Sequence, residues 1–417
     1  MTGRYVRYLL MVLAIVIAQP SLARPHQALD SVEAMDTQIV ATLAALEEGD
    51  IKLARLLARQ LAWRFPESQL GQLIHADLES AAALRDVSLA AHMPISQKMS
   101  ELALEAQRRL KANTHSAQHK PAALIQAGKH MSQLVVVDLQ TSVLHQYELN
   151  QHSSSLVRTH YIGSGEGGFG KQVEGDLKTP LGVYSITGYL AGHTLPDLYG
   201  SGALPIDYPN TLDRHLGRTG YGIWLHGVPS SQLSRTPFSS EGCVTMSNEH
   251  MSRLSDQLDV SASRIVLTNS SQKIPSARRE QLNRELTQLF RRYKKAWLDG
   301  DVSTLLYLYQ NHDYLGRRIT NEREALLRVS SSSDLKDSNN PSTRRSSYES
   351  ALEQLRAEDI SILANPQSGD SNPANPSNIV MDAWFGLNNE YQITIYWSKS
   401  HDGRWQVVTE SVVKGSL

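Results

Sequence analysis

The hydrophobic spacing of this 417-residue chain changes period twice, and a chain that does so folds as separately built segments rather than around one uniform layer. Over residues 30–112 the spacing is helical. Ala54, Ala58 and Ala62 recur every four residues beside Leu53, Leu57 and Leu61, and Pro66 stops the run. A polar stretch, Lys111 to Lys120, carries no apolar period. Over residues 121–270 the pattern turns to short β-branched runs: Leu134 to Val137, Val143 to Glu148, Leu156 to Ile162, Val183 to Thr187, Gly222 to Leu225 and Ile265 to Thr268. Residues 279–417 open on an amphipathic helix whose face is Leu282, Leu286, Leu289, Phe290, Tyr293 and Trp297, ended by Asp299-Gly300-Asp301. Strand-like stretches follow at Ile379 to Leu387, Tyr391 to Trp397 and Arg404 to Val413, and the Ser- and Asn-rich runs Ser330 to Ser347 and Asn365 to Asn378 read as loops. The expected architecture is multidomain α+β: a helical segment, a β-rich centre and a C-terminal α+β unit.

Charge narrows the function. Lys plus Arg is 41 and Asp plus Glu is 42, a formal net charge of −1, so the dense cationic face needed to bind nucleic acid is missing. Residues 1–23 read as an export signal. Arg4 and Arg7 precede the apolar run Leu9 to Ala18, and Ser21-Leu22-Ala23 supplies small residues for cleavage. No later stretch is apolar enough to span a bilayer, so the expected mature protein is soluble and lies outside the cytoplasm.

An exported chain with one cysteine, Cys243, makes no internal disulfide, and an isolated thiol outside the cytoplasm is either buried as a small apolar residue or used. Its surroundings favour use. A strand ends at His226-Gly227, a polar loop follows, and the chain returns at Ser240-Glu241-Gly242-Cys243. That excursion brings a nucleophile and a base into one region, since an imidazole that takes the thiol proton populates the thiolate. Gly242 lets a substrate approach closely and leaves backbone N–H groups for an oxyanion.

These residues resemble the L,D-transpeptidase (YkuD-type) catalytic domain. The family pattern runs from His-Gly, across a loop of this length, to Ser-His-Gly-Cys and a β-branched residue, matched here by His226-Gly227 and Ser240-Glu241-Gly242-Cys243-Val244. Lys178-Thr179-Pro180-Leu181-Gly182-Val183-Tyr184 is similar to the family's Lys-Thr-Pro-x-Gly-x-Tyr segment, and Tyr208-Pro209-Asn210 with Asp213 falls where members carry a comparable stretch. The resemblance covers roughly Ser132 to Asn269. It implies a periplasmic enzyme acting on peptidoglycan stem peptides without a cofactor or metal. Cys243 would attack the carbonyl between the third residue, a diamino acid, and the following D-alanine. His226 would shuttle the proton, oriented by the Gly227 carbonyl, with Gly242 in the oxyanion region. The thioester would pass to an amine, as an L,D-transpeptidase, or to water, as an L,D-carboxypeptidase. Tyr208, Asn210, Ser240 and Thr245 are the substrate-binding candidates. The C-terminal segment resembles the nuclear transport factor 2-like cone, a fold seen beside this domain in some trimming enzymes.

Two positions depart from the family pattern. Glu241 stands where most members carry histidine, and Thr245 where many carry arginine, which removes a planar anchor for a carboxylate. Glu241 keeps a third reading open, a non-catalytic wall-binding scaffold whose outer domains dimerise or recruit cell-wall proteins. Other chemistries are poorer fits. His115 and His119 lack the intervening glutamate of a zinc peptidase, no Gly-x-Ser-x-Gly elbow occurs, and Gly163 to Gly168 is read as a flexible turn rather than a phosphate cradle. His193 and His215 could line the cleft but are read as surface or structural residues, and Gly188 to Gly202 as a segment free to move over the site.

Overall fold

The computed structural model describes residues 25–66, 68–83, 97–114, 120–151, 153–270, 274–331, 352–366, 375–385 and 391–414. The expected export signal, His115 and His119, and most of the two Ser- and Asn-rich runs lie outside these residues. No described helix is long and apolar enough to cross a membrane. The chain divides into two units, residues 1–115 and 116–417.

Among the described residues the first unit holds four helices: α1 (Pro25–Glu47), α2 (Ile51–Arg64), α3 (Gln69–Ala83) and α4 (Gln97–Thr114). Asp50 caps α2 by accepting the Leu53 N–H at 3.1 Å. Ala54, Leu57, Ala58 and Leu61 are buried against Met35, Ile39, Leu43 and Ile74, the face that the four-residue spacing predicts. Arg109 of α4 makes a two-pronged pair with buried Asp36 of α1 at 2.7 and 2.8 Å.

The second unit begins with β1 (Leu124–Gln126), β2 (Gln133–Asp138), β3 (Val143–Leu149), β4 (Ser154–Tyr161), β5 (Ser164–Gly165), β6 (Gly182–Tyr184), β7 (Leu190–Ala191) and β8 (Gly202–Pro205). The short helix α5 (Thr211–His215), β9 (Trp224–His226), β10 (Phe238–Ser240), β11 (Val244–Thr245), α6 (Asn248–Gln257) and β12 (Ser263–Thr268) follow. One sheet has the order β4-β3-β2-β12-β6 and a second the order β11-β9-β8-β7, while β5 pairs with β10. Val135, Val137, Leu144, Ile162, Leu204, Leu225, Val244, Leu254, Ile265 and Leu267 form one core drawn from both larger sheets. All six strands read from hydrophobic pattern are present. The additional strands β5, β7, β8, β10 and β11 are two to four residues long, too short for an alternation to show.

The chain continues with α7 (Ser276–Asp299), α8 (Val302–Leu308), α9 (His312–Ser331), β13 (Ser361–Ala364), β14 (Asn378–Phe385), β15 (Tyr391–Lys399) and β16 (Trp405–Lys414). Gly300 ends α7 with φ +66°, and Asp301 caps α8 through the Thr304 N–H. The strands form an antiparallel sheet β1-β13-β14-β15-β16 on which Leu282, Leu286, Phe290, Tyr293 and Trp297 of α7 pack. Its first strand, Leu124–Gln126, comes from the segment read as part of the central domain, and pairs with β13 across more than two hundred residues. Leu134, Val136, Val183 and Val266 of the central sheet share a core with Leu363, Val380, Tyr396 and Val408. Arg264 of β12 pairs with Asp382 of β14, both about 5% exposed, and the Asn365 side chain accepts the Val183 N–H at 3.0 Å.

The rings of His160 of β4 and His250 of α6 lie tilted against one another, centroids 4.4 Å apart. Burial, then the mutual effect of the pair and the nearby Arg158 and Arg253, drives His160 far below the usual histidine range. Burial and the same arginines push His250 down to about 4. The unfolded chain therefore binds protons that the folded chain refuses. The pair's contribution to stability is full above pH 6.5 and falls as the pH drops below it, for His250 through the window between 6.5 and about 4, by on the order of 1 kcal/mol per unit per histidine. Thermal midpoints should fall steadily from pH 7 to pH 5, and the slope should flatten in His160→Phe. An unchanged slope would show that this pair is not the origin.

Candidate active site

Strands β9 and β11 run parallel, with Val244 opposite Leu225 and Thr245 opposite His226. Cys243 immediately precedes β11 and His226 ends β9, so the polar loop between them closes on adjacent strands. Residues two apart on a strand share a face, which puts the nucleophile and base candidates on one face of this sheet edge.

A backbone carbonyl orients the imidazole. His226 Nδ1 lies 2.6 Å from the Gly227 carbonyl oxygen. A carbonyl only accepts, so Nδ1 carries the proton and Nε2 presents a lone pair. Tyr199 packs edge-on against the His226 ring at 5.0 Å and also lies tilted against Trp224 at 4.9 Å. His226 is 3% exposed. That burial pushes its pKa down to about 4, against the opposing pull of the Gly227 bond.

Cys243 is half-buried. Its thiol donates to the Gly222 carbonyl at 3.4 Å, not to the His226 ring. Burial raises its pKa; the Trp224 N–H works the other way, Glu241 adds to the rise, and the positive charges of Arg235 and Lys171 oppose it. The resting pair is thus a neutral thiol and a neutral imidazole. Glu241 is exposed.

Gly242 shapes the turn before the nucleophile. It has φ +125°, and a Cβ there would stand 2.8 Å from the Lys178 carbonyl oxygen and 3.1 Å from Ile223 Cδ1. Its N–H donates to Ser240 Oγ at 3.2 Å, and that hydroxyl donates to the Cys243 carbonyl at 2.6 Å. The Gly242 amide and the Ser240 hydroxyl thus brace the turn that carries Cys243. The Lys178–Tyr184 segment lies beneath it: Thr179 Oγ1 accepts the Gly165 N–H at 2.9 Å.

The remaining substrate-binding candidates are interior. Tyr208 is 4% exposed and its hydroxyl donates to the Thr219 carbonyl at 3.1 Å. Asn210 caps α5, accepting the Asp213 N–H, and donates to the Val183 carbonyl. Thr245 is 1% exposed under Gly163. In each case hydrogen-bonding residue types fill structural roles. The glycine run is corrected as well. Gly163, Ser164 and Gly165 are buried, and a Cβ at Gly165 would stand 2.3 Å from the Leu177 carbonyl oxygen, so these glycines permit close packing rather than flexibility. His193 and His215 are exposed.

Sequence reasoning passed over Asn248, the first residue of α6. Its Oδ1 accepts the N–H groups of Ser201 at 2.9 Å and Val228 at 3.1 Å, and its Nδ2 donates to the Val228 carbonyl at 2.8 Å. One amide thereby ties the Gly188–Gly202 segment, read as movable, to the turn that orients His226. Gly200 and Gly227 leave room for it, since a Cβ on either would fall within 2.2 Å of Oδ1. Asn248→Ala leaves two N–H groups and a carbonyl unpaired. It should lower unfolding stability by about 2 kcal/mol in denaturant titration; a loss below a few tenths would show the tie to be dispensable.

Residues 132–267 match the YkuD family model, the L,D-transpeptidase catalytic domain. The central domain is of that family. No curated protein matches the chain. Among solved structures, Bd1075 of Bdellovibrio bacteriovorus is 19% identical, with 71% of this chain and 99% of that one covered at a TM-score of 0.50. The helical cell shape determining protein Pgp2 of Campylobacter jejuni is 18% identical, covering 70% and 95% at 0.47. An L,D-transpeptidase from Mycobacterium smegmatis is 16% identical, covering 33% and 58% at 0.21. At 19% identity the likeness to Bd1075 is one of fold.

Proposed function

We propose that this protein is a periplasmic cysteine acyl-transfer enzyme of peptidoglycan, cleaving the stem tetrapeptide after its diamino acid and releasing D-alanine. The reading rests on one observation: His226 Nδ1 is held by the Gly227 carbonyl, which leaves Nε2 as a base on the strand beside Cys243. When substrate enters, the thiol exchanges its Gly222 bond for Nε2, and the sulfur attacks the carbonyl carbon as Nε2 takes the proton. The tetrahedral intermediate collapses, the C–N bond breaks, and Nε2–H protonates the departing amine. The thioester then passes to an amine of a second stem, forming a cross-link, or to water, leaving a tripeptide. The C-terminal unit, which resembles the nuclear transport factor 2-like cone in sequence, would support the domain.

Incubation with disaccharide tetrapeptide tests this by mass. Tripeptide plus free D-alanine shows hydrolysis, dimers show transfer, and an unchanged tetrapeptide refutes both. The neutral resting pair also sets the pH profile. Nε2 must be unprotonated to act, and burial holds its pKa near 4, so kcat/KM should stay level from about pH 5 to pH 8 and fall with a midpoint near 4. An acid limb at pH 6 to 7 would contradict the buried-imidazole account.

A further inference from the structure

A cavity of about 150 Å³ opens between the β3–β4 turn, strand β1 and the first turns of α7, and shares no lining residue with the site around Cys243. Leu124, Ile125 and Ala127, all buried, line it along β1. Arg279 enters its wall from α7 and is 9% exposed. Nη1 of Arg279 donates to the Pro121 carbonyl at 2.9 Å and to the Leu124 carbonyl, which fixes the guanidinium in place. Among the described residues Nε and Nη2 meet no acceptor, and no carboxylate pairs with the charge. Burial pulls its pKa down, against the pull of Tyr147. The acid that lines the cavity, Glu280, is exposed and lies 4.0 Å from Arg284 instead. A guanidinium taken out of water is costly unless an anion meets it. Here the protein supplies none, and the fork borders open space.

The rim adds groups suited to hydroxyls. Among the described residues the Gln151 side chain and Asn283 Nδ2 make no hydrogen bond, and exposed Lys120 brings a second positive charge. A cavity of about this volume holds one six-membered ring. The apolar residues along β1 suit the C–H face of such a ring, and the amides suit its edge. We propose that this cavity binds a sugar acid or a sugar phosphate, a single ring whose oxyanion sits on Arg279 and whose hydroxyls meet Gln151 and Asn283. The planar fork takes two oxygens of either anion, so carboxylate and phosphate are two sources of one chemistry. The site stands apart from the acyl-transfer reading and does not depend on it.

The full-length protein is titrated calorimetrically with glucuronate, glucose 6-phosphate, glucose and inorganic phosphate. At least one of the two ring anions should bind, and glucose and inorganic phosphate should each be weaker by about 10-fold or more, since each lacks half of the contacts. Glucuronate and glucose 6-phosphate should compete for one site, and the tighter of them names the source of the anion. Arg279→Gln should bring the ring anions down to the level of glucose. Gln151→Ala combined with Asn283→Ala should weaken the ring anions by about 5-fold and leave inorganic phosphate unchanged. Arg279 also holds the Pro121 and Leu124 carbonyls, so each variant is first melted. If Arg279→Gln shows no cooperative transition, the rim pair decides in its place. The proposal is overturned if neither ring anion binds, if glucose binds as tightly as they do, or if inorganic phosphate matches glucose 6-phosphate. It is overturned equally if the folded variants bind the ring anions as wild type does.

Discussion

Cys243→Ala is expected to reduce tripeptide and dimer formation from tetrapeptide by about 10⁴-fold or more, because the covalent step has no other nucleophile. His226→Ala should lose about 10³-fold, the share of a general base. The two together should lose little more than Cys243→Ala alone, since base and nucleophile act as a unit. In wild type a carbapenem or a small thiol reagent should add one label at Cys243, the only cysteine in the chain. Labelling should be slow at pH 7, because burial keeps the thiol protonated, and should accelerate as the pH rises. Activity that survives Cys243→Ala would end the cysteine mechanism. A folded protein whose thiol stays inert and which leaves tetrapeptide intact would favour the scaffolding alternative.

Removing everything after residue 270 is expected to abolish cooperative folding of the central domain. The cut strips Leu363, Val380, Tyr396 and Val408 from a core shared with Leu134, Val136, Val183 and Val266. Each large side chain uncovered loses about 1.5–3 kcal/mol, so the sum reaches the whole stability of an ordinary domain, about 5–15 kcal/mol. Arg264 would also lose Asp382, and the Val183 N–H its Asn365 acceptor. Asp382→Ala isolates part of this effect. It leaves a buried guanidinium unpaired and should cost about 3 kcal/mol, measured by denaturant unfolding of the full chain. A truncated protein with a sharp thermal transition and native tetrapeptide turnover would show that the C-terminal sheet is an appendage.

Much of the site was legible because its chemistry depends on rare residue types. A lone thiol, a histidine at a strand end and a glycine before the thiol identify themselves in any linear reading. Tyr208, Asn210, Ser240 and Thr245 could not be placed from sequence, because such side chains serve equally well as ligand contacts and as internal hydrogen-bond partners or packing; in the fold all four are buried. Tyr199 and Asn248 carried no signal at all. An aromatic and an amide are ordinary surface residues until the fold sets one against a ring and the other between two loops.

Periodicity by itself determined the order of helical and β-rich segments and the buried faces of α2 and α7, while the lone thiol and the motif around it nominated Cys243 and His226 as the candidate pair. The tertiary structure alone decided that β1 joins a sheet more than two hundred residues away, that central and C-terminal sheets share one core, and that thiol and imidazole rest neutral. Periodicity reports which face of an element avoids water. Strand partners, proton affinities and the neighbours of a charge are set by what other parts of the chain bring within a few ångströms.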